Sequence, residues 1–117
     1  MKTTLTTEQS QHLFDLGVPK HKATEVMFNP NNDDYGFVFS LTDFLNGEVL
    51  PKEIMLDKEH GLDFGWDFYA NKWYAKYSDE DSICLYGNAW HVADELIDAL
   101  YELVCWYYGE YLKSEKK

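Results

Sequence analysis

His91 and Glu95 stand four residues apart, with Asp94 and Asp98 beside them. On a helix, that spacing can bring two side chains to one metal ion. No second His or Cys stands at ligand spacing nearby, so the stretch predicts a helix start with solvated acids and no metal. His12, His21 and His60 are isolated from one another, and each is expected at the surface. The polar loop Asn29-Pro30-Asn31-Asn32-Asp33-Asp34 invites calcium. A calcium loop of the EF-hand type needs Gly at its sixth position and Glu at its twelfth. Counted from Asn29, those positions hold Asp34 and Ser40, so a solvated turn is expected instead.

Asp63 and Asp67 lie on one side of an expected strand, with Trp66 and Phe68 close by. Paired carboxylates hydrolyse glycosides when they flank the bond. At strand spacing these two are about 13 Å apart, too far to form that pair themselves. The aromatic residues of the strand are expected in the core rather than as a sugar-stacking platform. Cys84 and Cys105 form no CxxC pair. A reactive thiolate needs a cation or a helix N-terminus nearby. Cys105 falls late in the expected last helix, where the dipole opposes a thiolate, and Cys84 precedes that helix. The Gly-rich phosphate cradles and the GxSxG nucleophile elbow are absent. No catalytic residue, cofactor or metal is therefore expected, and the chain is not read as an enzyme. The competing expectation is an enzyme or small-ligand binder whose site assembles from scattered carboxylates and aromatics.

Charge bears on partners. The 117 residues carry 21 acids against 10 basic residues, all of them Lys, for a net charge of −11. Nucleic-acid binding is driven by cations that replace counterions, and Arg supplies its bidentate contacts. A chain of this charge without Arg is expected to avoid nucleic acid and anionic membranes. The charge keeps a domain soluble, or it attracts a basic protein surface. The one basic patch is the tail at 113–117.

The last helix carries the candidate partner surface. It is expected from about Asn88 or Ala89 to about Tyr111. Asp94, Asp98 and Glu102 would form a ridge at i, i+4 and i+8, with Glu95 beside it. Trp106 would project off the core face next to that ridge, flanked by Tyr101 and Tyr108. Trp and Tyr are enriched at interface hot spots. Binding to a protein partner is the leading expectation, and homo-oligomerisation through the same helix is a further one. An acidic ridge that imitates a row of phosphates is one form the partner surface would take.

Several elements position these residues. Thr6 is an expected N-cap with Gln9 at the capping-box position, so Thr7–Leu16 reads as a short helix closed by Gly17 and Pro19. Val26-Met27-Phe28 is a short strand or buried connector. Phe37, Phe39 and Leu41 alternate with Val38 and Ser40 as a strand. Thr42 is expected to cap one helical turn through Leu45, ended by Asn46-Gly47. Ile54 to Asp57 reads as a strand and Glu59-His60-Gly61 as a turn. Leu62, Phe64, Trp66 and Phe68 share one face, the clearest period-2 signal in the chain. Ala70-Asn71-Lys72 turns the chain back into a strand from Trp73 to Tyr77. Ser78 to Ser82 reads as an acidic loop, and Ile83 to Leu85 as a brief strand or coil. The fold class is α+β: a mostly antiparallel meander of three to four strands, a long C-terminal helix on one face and a short N-terminal helix. No linker or repeat divides the chain, so 1–117 is one domain. No apolar run reaches membrane-spanning length, and no signal peptide precedes the domain, so the cytoplasm is expected.

Three segments taken together resemble a known group of proteins. They are Phe39-Ser40-Leu41-Thr42-Asp43-Phe44-Leu45 followed by Leu50-Pro51-Lys52-Glu53-Ile54, the aromatic strand pair around Trp73-Tyr74, and Glu95-Leu96-Ile97-Asp98-Ala99-Leu100-Tyr101-Glu102-Leu103. The set is similar to small proteins encoded by prophages and other mobile elements of gut Bacteroidetes, which have no assigned activity. Asn46-Gly47-Glu48-Val49 stands as an insertion relative to that pattern. The resemblance implies a phage or mobile-element origin and cytoplasmic expression in the host.

Overall fold

The computed structural model describes residues 2–30, 33–55, 59–78 and 90–115. The order is α1 (Thr7–Leu16), a 3-10 turn (Lys20–Lys22), β1 (Glu25–Asn29), β2 (Asp34–Val38), α2 (Leu41–Leu45), β3 (Glu53–Met55), β4 (Glu59–Asp67), β5 (Lys72–Ser78), β6 (Trp90–Ala93) and α3 (Leu96–Trp106). A π-helical turn (Tyr107–Tyr111) extends α3 into α4 (Leu112–Glu115). The expected α+β class is the observed one. β3-β4-β5-β6 form an antiparallel meander, and β1-β2 form a separate antiparallel hairpin.

Local chemistry sets the first helix. The Thr6 hydroxyl accepts the Gln9 amide hydrogen, and the Gln9 side chain accepts the Thr6 amide hydrogen, which satisfies two orphan donors at once. Gly17 ends α1 at φ 111°, a conformation that L side chains rarely adopt. The second helix is capped two residues earlier than expected. Ser40, not Thr42, holds the extended cap conformation and accepts from the Asp43 amide. The buried Asp43 carboxylate in turn accepts from the Ser40 amide at 2.8 Å and the Thr24 hydroxyl at 2.7 Å. One carboxylate thereby ties the start of α2 to the approach to β1. Because β2 stops at Val38, the alternation breaks there: Phe37 faces solvent while Val38 and Phe39 are both buried.

The core lies between α3 and the meander and extends under α1. Leu96, Ile97, Ala99, Leu100, Leu103 and Val104 are the buried face of α3. Fully burying a Leu, Ile or Val side chain contributes roughly 1.5–3 kcal/mol. They meet Ala75 and Tyr77 of β5, and Leu5, Leu13, Phe39, Phe44 and Leu50 belong to the same cluster. Phe39 stacks on Phe44 at 5.7 Å and tilts against Phe14 at 5.2 Å. The Tyr77 ring is fully buried, and its hydroxyl donates to the Pro51 carbonyl at 2.6 Å. Burial drives that phenol far above its usual range.

Three expectations change here. Glu59-His60-Gly61 is not a turn: it opens β4, pairing with Met55, Ile54 and Glu53, and His60 is buried rather than at the surface. Ser78 belongs to β5, and the expected loop and strand at 79–85 lie outside the described residues, as do 56 and 57 of the strand expected through Asp57. The last helix starts at Leu96 rather than at 88 or 89. Glu95 is extended at φ −122°, ψ 143°, and Trp90–Ala93 is a fourth meander strand paired with Trp73–Lys76. Pairing with β5 is a tertiary gain that local helical patterning does not report.

Candidate functional site

The β4–β5 hairpin carries the most exposed aromatic surface of the described chain. Its register places Leu62, Phe64 and Trp66 opposite Tyr77, Ala75 and Trp73 on the core side. Helix α3 packs across β5 and β6. Ala75 and Tyr77 are therefore covered, while Phe64 and Trp66, one strand further out, are 40% and 37% exposed. Trp66 meets the partly buried Trp73 edge-to-face at 5.5 Å, so the rim of the core continues into the exposed surface. The aromatic strand expected in the core is thus largely outside it.

The turn completes the surface. Asp67 Oδ1 accepts the amide hydrogens of Tyr69 at 2.9 Å and Ala70 at 3.1 Å, and Asn71 takes φ 56°. That closure leaves Phe68 86% exposed and Tyr69 wholly so. Two adjacent aromatics at a hairpin tip cannot both turn toward one core.

The opposite face of the hairpin is built by Asp63, Gly65, Tyr74, Lys76, Trp90 and Val92. The Tyr74 ring lies across Gly65, where an added Cβ would come within 3.3–3.4 Å of it. The Tyr74 hydroxyl donates to Asp63 at 3.3 Å. Burial first, and the neighbouring Asp63 carboxylate second, push that phenol above its usual range. Lys76 holds its ammonium 5.4 Å from the Tyr74 ring centroid, 6.0 Å from that of Trp90 and 3.9 Å from Asp63. Together Trp66, Phe68, Tyr69, Tyr74 and Trp90, with Asp67 and Lys76, line a hollow of about 300 Å³.

The sequence-derived partner surface is distributed otherwise. Asp94 lies in the bend after β6 and pairs with Lys72, whose ammonium holds its carboxyl below the usual range. Glu95 sits at the N-cap of α3 and accepts the Lys2 amide hydrogen at 3.1 Å. Asp98 accepts from the Lys2 ammonium at 2.8 Å and the Gln9 amide at 3.1 Å. Glu102 is exposed. The i, i+4, i+8 ridge does not form, because Asp94 precedes the helix. Trp106 is half-buried against the core, between Tyr77 at 6.3 Å and Tyr111 at 5.6 Å, rather than projecting off the core face flanked by Tyr101 and Tyr108. Tyr108 is half-buried with its ring edge-on to Tyr107.

His91 is on β6 and Glu95 is a cap, so the helical ligand spacing is lost. Among the described residues, no three His, Cys, Asp or Glu side chains are grouped to hold a metal ion. Cys105 is half-buried, and desolvation pushes its thiol up to about 11 despite a hydrogen bond with Tyr101. Cys84 lies outside the described residues.

The sequence assigns Trp66 and Phe68 to the core and gives Tyr69, Tyr74 and Trp90 no part in a contact surface. A signal for them existed in Phe68-Tyr69 at the turn and in Gly65, the small residue directly across from a Tyr. Comparison with protein-family models, with curated proteins and with solved structures finds no match.

Proposed function

We propose that this chain is a non-enzymatic protein–protein interaction module whose contact surface is the aromatic tip of the β4–β5 hairpin. The observation that carries it is the exposure of Phe68 and Tyr69, continuous with Trp66 and Trp90, on an otherwise acidic domain. Contiguous exposed aromatics mark binding surfaces, and Trp and Tyr concentrate binding energy. The net charge of −11 without Arg disfavours nucleic acid and anionic lipid as the partner. No helix among the described residues is long and apolar enough to cross a membrane. We place the module in the cytoplasm and give it a phage or mobile-element origin, on the resemblance noted above.

The test is capture from a host lysate by the wild type and by a Phe68→Ser/Tyr69→Ser/Trp90→Ser variant. A protein retained by the wild type in high salt and lost by the variant supports the reading. Capture that the variant retains in full overturns it. Sedimentation of the purified protein separates self-association from a foreign partner.

A second reading rests on the hollow of about 300 Å³, where aromatic rings meet Asp67 and Lys76. A site of that size and lining suits a small amphipathic ligand. Thermal-shift screening of small molecules against the wild type and Trp90→Ser tests it.

A further inference from the structure

A second surface lies away from the aromatic tip, where α1 faces the β1–β2 hairpin across a groove of about 640 Å³. Glu8, Gln11 and Asp15 project into it from one side of α1, and Gly36 and Phe37 of β2 form the opposite wall. Glu8 and Asp15 are seven residues apart, about 10.5 Å along the helix axis. Phe14 contributes an aromatic surface, with the Lys20 ammonium 5.9 Å from its centroid. Gly36 keeps the groove open: a Cβ built there meets nothing within 4 Å.

The other face of the β1–β2 hairpin is bare and apolar. Val26 pairs with Phe37, and Phe28 with Tyr35, and all four side chains are exposed. Acids outnumber lysines around the groove, which Lys20 also lines. Residues 7–38 hold Glu8, Asp15, Glu25, Asp33 and Asp34 against Lys20 and Lys22, and the Lys22 ammonium donates to the Glu48 carbonyl at 2.6 Å.

From the Phe14 surface, the open strip at Gly36 and the acidic rim, we propose that this groove docks a basic amphipathic segment of a partner protein. Its apolar side chains lie on Phe14 and across the open strip at Gly36, and its Lys or Arg side chains meet Glu8 and Asp15. Charge complementarity selects this occupant, since an acidic segment or a phosphate would face like charge. The inference rests on the domain being a protein-binding module but uses a different surface from the hairpin tip.

The test is fluorescence anisotropy with a labelled synthetic peptide that alternates leucine pairs with lysine pairs. Gly36→Trp fills the groove without replacing any acid. Glu8→Lys/Asp15→Lys reverses its rim, and Glu53→Lys/Glu110→Lys makes the same change in net charge elsewhere. The wild type is expected to bind, and both groove variants to bind about tenfold more weakly, with the charge-matched control nearly unchanged. Equal losses in the two charge-reversed proteins would mean a general acidic field and overturn the groove. Undiminished binding by a Gly36→Trp protein of unchanged circular dichroism, or no binding by the wild type, would do the same. Self-association blocked by Gly36→Trp would assign the groove to a second copy, against the proposal. Phe68→Ser/Tyr69→Ser is expected to keep the peptide. A wild type that ignores the peptide yet captures a partner through Phe68 and Tyr69 therefore removes the groove alone.

Discussion

The Lys2 ammonium lies 2.8 Å from the Asp98 carboxylate, across 96 residues of sequence. Gln9 of α1 donates to the same carboxylate oxygen at 3.1 Å, so Asp98 joins the N-terminal segment, α1 and α3. An acid that sequence spacing assigns to an open ridge is thereby structural. Asp98→Ala is expected to destabilise the fold by about 1–2 kcal/mol, because it removes one ion pair and one further hydrogen bond. Glu102→Ala, on an exposed position of the same helix, is expected to change stability by about 0.5 kcal/mol or less. Urea midpoints of the two variants check the contrast.

Asp43 is a second anchor. Its buried carboxylate accepts from Ser40 and from both the amide and the hydroxyl of Thr24. Asp43→Ala leaves those donors without their acceptor and is expected to cost about 3 kcal/mol, with Asp43→Asn costing less. Chemical denaturation reads both.

Gly65→Ala is expected to displace the Tyr74 ring, since an added Cβ falls within 3.3–3.4 Å of it. The Tyr74 phenol is raised by burial and by Asp63. Displacement relieves both, so its ionisation moves down toward the ordinary value. Ultraviolet titration of Gly65→Ala against the wild type, with Tyr74→Phe to assign the transition, measures the shift.

Cys105 is expected to be a slow thiol. With its ionisation pushed up to about 11 from a reference of 9.0, the thiolate fraction near neutral pH falls about a hundredfold below that of a free thiol. Labelling by a thiol-exchange reagent in a Cys84→Ser background, compared with a short cysteine peptide, checks this.

Glu53 and Glu59 give a dependence of stability on pH. A hydrogen bond with Glu59, followed by repulsion from its charge, raises the Glu53 carboxyl above 4.5 in the folded protein. A raised carboxyl binds its proton more tightly folded than unfolded. Its contribution is therefore fully present below pH 4.5 and is lost as pH rises through the folded value. Glu53→Gln is expected to flatten that part of the stability profile, as read from melting temperature against pH.

Local signals made much of this chain legible in advance. The Thr6–Gln9 capping box, Gly17 at positive φ, the alternation through β4, the turn at Asn71 and the apolar face of α3 each depend on residues a few positions apart. The acidic balance is likewise a property of composition.

Tertiary placement decided the rest. Trp90–Ala93 carries no local mark that separates the start of a helix from a strand, and pairing with β5 makes it a strand. Alternation shows that Phe64 and Trp66 share a face with Leu62, but not how far a distant helix reaches across that face. Because α3 packs over β5 and β6, the same period-2 pattern is buried at Tyr77 and exposed at Phe64 and Trp66. Sequence determined which residues lie on one side of each element, because neighbours along the chain set that periodicity. Only the folded structure decided which of those sides would be covered, because coverage depends on contacts between segments far apart in the chain.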